Sequence, residues 1–489
     1  MLEKSINIER KLEETLEKLG SIKTIDKFNN EKKIEVKDNY WPQYLAVFTA
    51  ALSYYNRGLH SAWTSPALPK LLTNGTEIDS YFPISSTEGS WIVVSYSASI
   101  SVGAPLAAYL IHSIGRKNTI LLTAFPTLLA FLLIAFAPSI ECFYVARILA
   151  GISEGLANIA LPVYVGEVAQ AKIRGFLGSI TAIFLTLGLL SVNVIGSYTT
   201  IFQTSMILSI FPILLIGTFY WMPESPYYLM MKNDINSAEQ SLIKLRGTKM
   251  VQEELKLIQV TVEKQMANEG TFKALFCVRS NRRALLLALA METVLQLSGI
   301  QAILAYTQII FIESGEQITS EMSSILLMII QLIASISATN FVDKLGRKPL
   351  LMISCAGCGI ALMFEGLYFY LQYIGYDCLH SFSWVPLSAL ILYIIVYSMG
   401  LAIIINILLG EIFAANVKGK AIGINTILYG ILAFFVSKLF QIMTDHVGMF
   451  VPFWIYGIFS LSAVVYIYYC VPETKGKTLD EIVEWFEKS

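Results

Sequence analysis

Charged residues are scarce in this sequence, at 15% of 489 residues, while 55% of the residues are hydrophobic. Soluble domains carry roughly 25% charged residues, so we expect a membrane protein. The net charge of −1 provides no basic excess for binding nucleic acid. With only four histidines and no nucleophile motif, the sequence predicts neither a metal site, nor a cofactor, nor an enzyme.

Cysteine and targeting signals are also sparse. The six cysteines lie mostly in apolar runs, and the CxxC formed by Cys355 and Cys358 is typical of small residues that pack between helices. The first 40 residues mix acidic and basic side chains and contain no long apolar core. We therefore expect no cleavable signal sequence.

Long apolar windows are abundant and come in two sets of six. Backbone groups in lipid must be satisfied within each segment, so every window is predicted to be a helix. The predicted fold is an all-α membrane protein with two pseudo-symmetric six-helix bundles. The first set covers about 43–64, 90–112, 119–137, 142–165, 175–196 and 201–222; the second covers 283–312, 321–342, 349–373, 384–410, 420–444 and 450–470.

These windows predict five regions and an orientation. The regions are an N-terminal tail at 1–42, a bundle at 43–222, a polar central loop with short helices at 223–282, a bundle at 283–470 and a tail at 471–489. Loops on the side of the termini hold nearly all loop Lys and Arg residues, and the other side holds only Lys70. Both termini are therefore predicted to be cytosolic. Asn74 of Asn-Gly-Thr then lies in the first outer loop and is a predicted glycosylation site.

Short motifs recur in the same order in both sets. Gly-Arg-Lys occurs at 115–117 and 346–348, Gly-Glu at 166–167 and 410–411, and PESP at 223–226 is echoed by PETKG at 472–476. Because arginine pairs with carboxylates, we predict a cytosolic network that closes the inner side if its pairs cross between the bundles. Solvated topology signals are the alternative. The predicted members are Arg116, Lys117, Arg147, Glu167, Arg174, Glu224, Asp343, Arg347, Lys348, Glu411, Lys418 and Glu473.

Together with RILAGISEG at 147–155, QLSGIQ at 296–301 and VPETKGKTLDEI at 471–482, these motifs resemble the sugar porter family of the major facilitator superfamily. The resemblance covers about residues 43–485, and TSPALPKL at 64–71 is most similar to its insect-type facilitated trehalose transporters. It implies alternating-access transport of trehalose or a hexose by a monomer in the plasma membrane.

The resemblance also implies a substrate site that starts in the seventh helix. Gln296 keeps the second of the family's paired glutamines, Gln301 replaces an asparagine, and Tyr306 keeps one of two tyrosines. A primary amide donates and accepts hydrogen bonds, as sugar hydroxyls do, although it also serves to join helices. The remaining implied contacts are Gln331, Asn406 at the family's tryptophan position, and Tyr429.

Ionisable side chains occur within the predicted spans, where each costs several kcal/mol unless paired or hydrated. Glu292 lies four residues before Gln296 on the same helix face, so it is a candidate for coupling a proton to sugar transport. Asn56 stands where proton-coupled porters place an aspartate, which favours facilitated diffusion. Arg57 is expected either to pair with an acid of helix seven or to face the outer vestibule. A proton symporter and a non-transporting sugar sensor are the alternative functions.

Overall fold

The computed structural model describes residues 39–72, 83–267, 272–315, 318–376, 379, 382–413, 415–477 and 479–488, apart from the side chains of 267, 339–345, 415–416, 479–480, 483 and 488. Asn74, with its predicted glycosylation, and the side chain of Asp343 lie outside this description. The account of packing below concerns residues 42–488.

The first half of the chain consists of helices, and the links that are fully described are short turns. Several begin with a side-chain cap; Ser85, for example, accepts from the backbone N–H of Glu88, whose carboxylate accepts from the backbone of Ser85. The helices are α1 (Trp41–Ser61), α2 (Thr64–Leu72), α3 (Ser86–Ser113), α4 (Arg116–Ala135), α5 (Ile140–Val168), α6 (Ala171–Tyr198), α7 (Ile201–Leu208) and α8 (Ile210–Phe219).

Four short helices follow in the polar central region, and then the second half begins. The central helices are α9 (Pro226–Met231), α10 (Ile235–Arg246), α11 (Gln252–Ala267) and α12 (Phe272–Cys277). The second half contains α13 (Arg279–Leu297), α14 (Ile300–Ser314), α15 (Ser320–Leu345), α16 (Arg347–Tyr373), α17 (Val385–Met399), α18 (Leu401–Glu411), α19 (Ala415–His446) and α20 (Phe450–Cys470); α21 (Leu479–Lys488) ends the chain.

Eleven segments of the described chain are long and apolar enough to cross a membrane, and they coincide with the second to twelfth predicted windows. The first window corresponds to α1, which has 21 residues but carries polar side chains that lower its hydropathy, among them Asn56 and Arg57. The predicted twelve-helix fold is thus confirmed, with one helix whose polarity reflects its place at the site described below.

Small residues let the helices approach closely. A Cβ atom on Gly58 of α1 would lie 2.2 Å from the carbonyl oxygen of Leu185 and 3.0 Å from the Cα atom of Gly188, both in α6. Close backbone contact of this kind is a main source of helix association in lipid, where no hydrophobic effect drives helices together. The first half meets the second where α3 packs on α19, α6 on α15 and α2 on α14.

Polar contacts join the halves at the end of the helices that lies away from the GRK motifs, which we call the opposite end. Ser86, at the start of α3, donates to Asp445 over 2.9 Å and accepts from Gln441, both in α19. The Lys438 ammonium donates to Ser90 over 2.6 Å and lies 4.4 Å from the ring centroid of Trp91. The GRK motifs lie at the other end, which we call the charged end.

Candidate substrate site and charged end

In the first half, the charged end is organised around Glu224. Its carboxylate accepts from the backbone N–H groups of Arg116 (3.1 Å) and Lys117 (3.0 Å), which open α4. A carboxylate suits this place because a helix N-terminus presents unpaired N–H groups and a partial positive charge. The Arg116 guanidinium pairs with Glu167 over 2.8 Å, and the Ser225 hydroxyl also donates to Glu167.

The second half repeats this arrangement residue for residue. Glu473 accepts from the backbone N–H groups of Arg347 and Lys348, each over 3.0 Å, at the start of α16. The Arg347 guanidinium pairs with Glu411 over 3.0 Å, and the Thr474 hydroxyl donates to Glu411 over 2.5 Å. The sequence repeats therefore correspond to a repeated structural unit.

The GRK glycines are required by the carboxylates they face. Gly115 and Gly346 have φ angles of +98° and +89°, and a Cβ atom there would lie 2.3 Å from the Glu224 carboxylate and 2.9 Å from that of Glu473. Burial raises the pKa of Glu224 above its usual value in spite of its backbone hydrogen bonds. Burial acts in the same direction on Glu473, but N–H groups of Lys475, Arg347 and Lys348 lower its pKa.

The Arg116–Glu167 and Arg347–Glu411 ion pairs each join residues of the same half. The other predicted members make local contacts: Arg174 donates to the carbonyl of Ala169 over 3.2 Å, and Lys418 to the carbonyl of Gly410 over 3.0 Å. The Lys117 and Lys348 ammonium groups lie 5.4 and 5.5 Å from the rings of Tyr220 and Tyr468. A network that crosses between the halves stays a prediction for another conformation of the chain.

Placing Arg147 in that network was wrong. Arg147 lies seven residues into α5, near the opposite end, whereas Glu167 lies in the last turn of the same helix. Its guanidinium donates to the carbonyl of His60 over 2.7 Å and lies 4.2 Å from the ring centroid of Tyr96. Arg147 therefore joins helices of the first half near the opposite end.

The seventh predicted span is interrupted inside the QLSGIQ motif. α13 ends at Leu297 and α14 begins at Ile300, with Gly299 between them at a φ angle of +86°. Glycine is required twice here, because the backbone is left-handed and a Cβ atom would lie 2.4 Å from the ring of Tyr456. The break separates Gln296 and Gln301 onto different helices.

On the charged-end side of the break, two amides hold one carboxylate. Gln296 donates to Glu292 Oε1 over 2.9 Å, as expected for residues one turn apart, and Asn425 of α19 donates to Oε2 over 2.8 Å. All three side chains are buried. The amide oxygens of Gln296 and Asn425 have no hydrogen-bond partner among the described residues. Buried groups of this kind are suited to receive hydroxyl donors.

On the other side, four helices meet at an ion pair. Arg57 of α1 pairs with Glu154 of α5, with Nε and Oε1 separated by 2.7 Å. Its partner is therefore an acid of the fifth helix, so neither expectation for Arg57, an acid of helix seven or the outer vestibule, describes this contact. Tyr429 of α19 donates to Glu154 over 3.2 Å and accepts from Gln301 of α14 over 2.6 Å. This cluster of Arg57, Glu154, Tyr429 and Gln301, here called the central cluster, bridges the two halves.

A small cavity adjoins the central cluster, since Gln301 and Tyr96 form part of its wall together with Ser97, Arg147 and Ser437. Its walls come from both halves, and in this conformation it is too small to hold a sugar.

In the described part of the chain, the other predicted substrate contacts make no hydrogen bond to the central cluster. Tyr306 is buried and stacks on Phe440 at 5.2 Å, and its hydroxyl has no partner among the described residues. Gln331 is buried in α15, with its Oε1 atom likewise without a partner in the described chain. Asn406 is exposed and donates to the carbonyl of Ala402 in its own helix.

Sequence reasoning missed two amides of the site. Asn158 accepts from Arg57 over 2.6 Å, and it lies one helical turn after Glu154 in α5. Asn425 lies one turn before Tyr429 in α19. In both cases, extending the helix face of a named residue by four positions would have found the partner.

Comparisons with known proteins agree with this architecture. Residues 21–486 match the Sugar (and other) transporter family. The chain is 33% identical over 451 residues to the facilitated trehalose transporter Tret1 of Apis mellifera ligustica, covering 91% of this chain and 88% of the relative. It is 35% identical over 445 residues to Tret1 of Polypedilum vanderplanki, covering 90% and 87%.

Solved structures show the same fold. The inward-open xylose transporter XylE of E. coli superposes with a TM-score of 0.73 at 24% identity, covering 90% of this chain and 98% of that one. XylE bound to 6-bromo-6-deoxy-D-glucose superposes with a TM-score of 0.70, covering 91% and 98%. With its repeated charged end and broken seventh span, the chain belongs to the sugar transporter family of the major facilitator superfamily and is a membrane transporter, not an enzyme.

Proposed function

We propose that this chain carries trehalose or a hexose across the plasma membrane by facilitated diffusion, as a monomer with both termini in the cytosol. The trehalose relatives support the substrate class, and the distribution of loop Lys and Arg supports the orientation. The substrate site comprises Gln296, Gln301, Tyr306, Gln331, Asn406 and Tyr429.

The observation that carries the proposal is the 2.6 Å hydrogen bond from Gln301 to Tyr429. An amide of α14 thus lies against a phenol of α19, beside side chains of the first half, so a sugar bound here would contact both halves. Sugar hydroxyls would exchange with these protein hydrogen bonds at little net cost, because amide and hydroxyl groups donate and accept alike. Binding then changes the contacts between the halves, as alternating access requires.

A second candidate function, proton-coupled symport, is favoured by one observation. Glu292 is buried, and the side chains that bind it are the neutral amides Gln296 and Asn425. A buried carboxylate without a bound cation is a candidate proton carrier.

Uptake into proteoliposomes tests the proposal. Purified protein is reconstituted, and uptake of labelled trehalose and D-glucose is measured with and without an inward proton gradient. Saturable uptake that equilibrates and ignores the gradient supports facilitated diffusion. Uptake that accumulates sugar with the gradient supports symport instead, and the lack of saturable uptake of either sugar would falsify sugar transport itself.

A further inference from the structure

We propose that Arg57 and Glu154 form a charged subsite that binds two neighbouring hydroxyls of the transported sugar. This inference rests on the proposed sugar transport and adds a substrate contact from the first half, whereas all six contacts proposed above come from the second. It concerns a neutral sugar with a vicinal diol.

The pair has hydrogen-bonding capacity that the protein leaves unused. Glu154 is 2% exposed, and its Oε2 atom has no hydrogen-bond partner among the described residues. Arg57 Nε lies 2.7 Å from Glu154 Oε1 without hydrogen-bond geometry, and one terminal nitrogen donates to Asn158 over 2.6 Å. Its other terminal nitrogen reaches the Tyr429 hydroxyl only at 3.4 Å, which is longer than a strong charged hydrogen bond.

An ion pair in the membrane interior is stabilising only when its remaining atoms are also satisfied. One sugar hydroxyl can donate to Glu154 Oε2 while its neighbour accepts from the Arg57 guanidinium. Because the pair carries no net charge, Glu154 disfavours an anionic substrate and Arg57 disfavours a cationic one. The chemistry therefore selects a neutral polyol, with the two hydroxyls on adjacent carbons.

Neighbouring side chains place this subsite beside the proposed amides. Tyr429 contacts both Glu154 and Gln301, so a sugar that binds Gln301 from the second half comes within reach of the pair. In this conformation the Tyr429 hydroxyl donates to Oε1 of Glu154. A sugar hydroxyl at Oε2 shares this carboxylate with Tyr429, so sugar binding involves the same side chain that joins α5 to α19.

The test combines protein variants with deoxy sugars in proteoliposomes. Half-saturation concentrations for labelled D-glucose and trehalose are measured, with 2-, 3-, 4- and 6-deoxyglucose as competitors. Because hydrogen bonds to charged groups contribute about 1.5–3 kcal/mol, Glu154→Gln is expected to raise the half-saturation concentration about tenfold or more. At least one deoxy sugar should compete poorly in the wild type and no worse than glucose in Glu154→Gln.

Further variants separate sugar binding from a structural role. Arg57→Lys keeps the charge, and with it the pairing of Glu154, but loses the guanidinium fork, so it should raise the half-saturation concentration. The charge-swapped double variant, Arg57→Glu with Glu154→Arg, should recover thermal stability without recovering deoxy-sugar discrimination.

The outcomes distinguish the charged subsite from the proposed sugar transport. Recovery of wild-type half-saturation by the swap, or an unchanged half-saturation concentration in Glu154→Gln, overturns the charged subsite and leaves sugar transport standing. A wild type that takes up neither sugar overturns the proposed function and the subsite with it.

Discussion

Glu292 and Gln296 are joined by a 2.9 Å hydrogen bond between successive turns of α13, and both side chains are buried. The carboxylate lies beside the implied sugar contact, so its protonation state bears directly on the mode of transport. Two amides from different helices satisfy its two oxygens, so the site is complete without a proton.

We therefore expect Glu292→Gln to show the same response to a proton gradient as the wild type. Trehalose uptake into proteoliposomes should be equal with and without an inward gradient in both proteins, because the carboxylate serves as a hydrogen-bond acceptor. Gradient-driven accumulation in the wild type that disappears in the variant would instead establish Glu292 as the coupling group.

Gln301→Ala should weaken sugar binding. Loss of one neutral hydrogen bond contributes about 0.5–1.5 kcal/mol, so the half-saturation concentration should rise about two- to tenfold. Gln203→Ala is a matched control, since Gln203 is an exposed amide whose bonds with Thr200 lie at the start of α7. Equal half-saturation concentrations in both variants would remove Gln301 from the substrate site.

Contacts at the opposite end should hold that end closed. Ser86→Ala removes the hydroxyl that contacts Asp445 and Gln441 across the halves. At about 1 kcal/mol for each of the two hydrogen bonds, the open population should grow about thirtyfold. The rate at which a maleimide labels a cysteine introduced at Ser61, in the cavity wall, measures the open population. The accessible native cysteines are first replaced by serine. Slower or unchanged labelling would contradict the role given to Ser86.

The two GRK carboxylates should respond oppositely to pH. The pKa of Glu473 is lowered, so its stabilising contribution is present above the ordinary value of 4.5 and is lost as pH falls through the lowered pKa. The pKa of Glu224 is raised from 4.5, so the fold favours its protonated form and loses stability as pH rises through the raised pKa.

Thermal unfolding of the purified protein between pH 4 and 7 measures this difference. As pH falls, the Tm advantage of the wild type over Glu473→Gln should shrink, while its advantage over Glu224→Gln should grow. Parallel trends in the two comparisons would show that the carboxylates are equivalent.

Gly299→Ala should be more destabilising than Gly315→Ala. Both glycines are left-handed, with φ angles of +86° and +66°, so each substitution incurs about 1–2 kcal/mol of backbone strain. Of the two, only Gly299 also faces a side chain, because a Cβ atom at Gly315 meets nothing within 4 Å in the described part of the chain. Unfolding temperatures and trehalose uptake of both variants provide the comparison, and equal losses would exclude the Tyr456 contact as a cause.

Much of the fold follows from the sequence because hydropathy reports burial in lipid directly. Repetition identified the charged end equally well: the pairs Arg116–Glu167 and Arg347–Glu411 join motifs that recur in order. Contacts within one helix, such as Glu292 with Gln296, follow from the helical period.

Contacts between distant helices could not be read in this way. The Arg57–Glu154 pair depends on how α1 and α5 are rotated against each other, which hydropathy does not encode. The prediction for Arg147 was wrong because the tendency of arginine to pair with carboxylates does not report depth, although its position along α5 could have been counted from the start of the window.

The break at Gly299 has a mechanical consequence. A continuous helix is stiff, so a tilt at one end of it would displace every side chain along its length. Two shorter helices that meet at a glycine can tilt relative to each other at that residue, and the ring of Tyr456, which packs against the glycine, limits the movement. We therefore expect Gln301 to move with the contacts at the opposite end, while Gln296, on the other helix, stays hydrogen-bonded to Glu292.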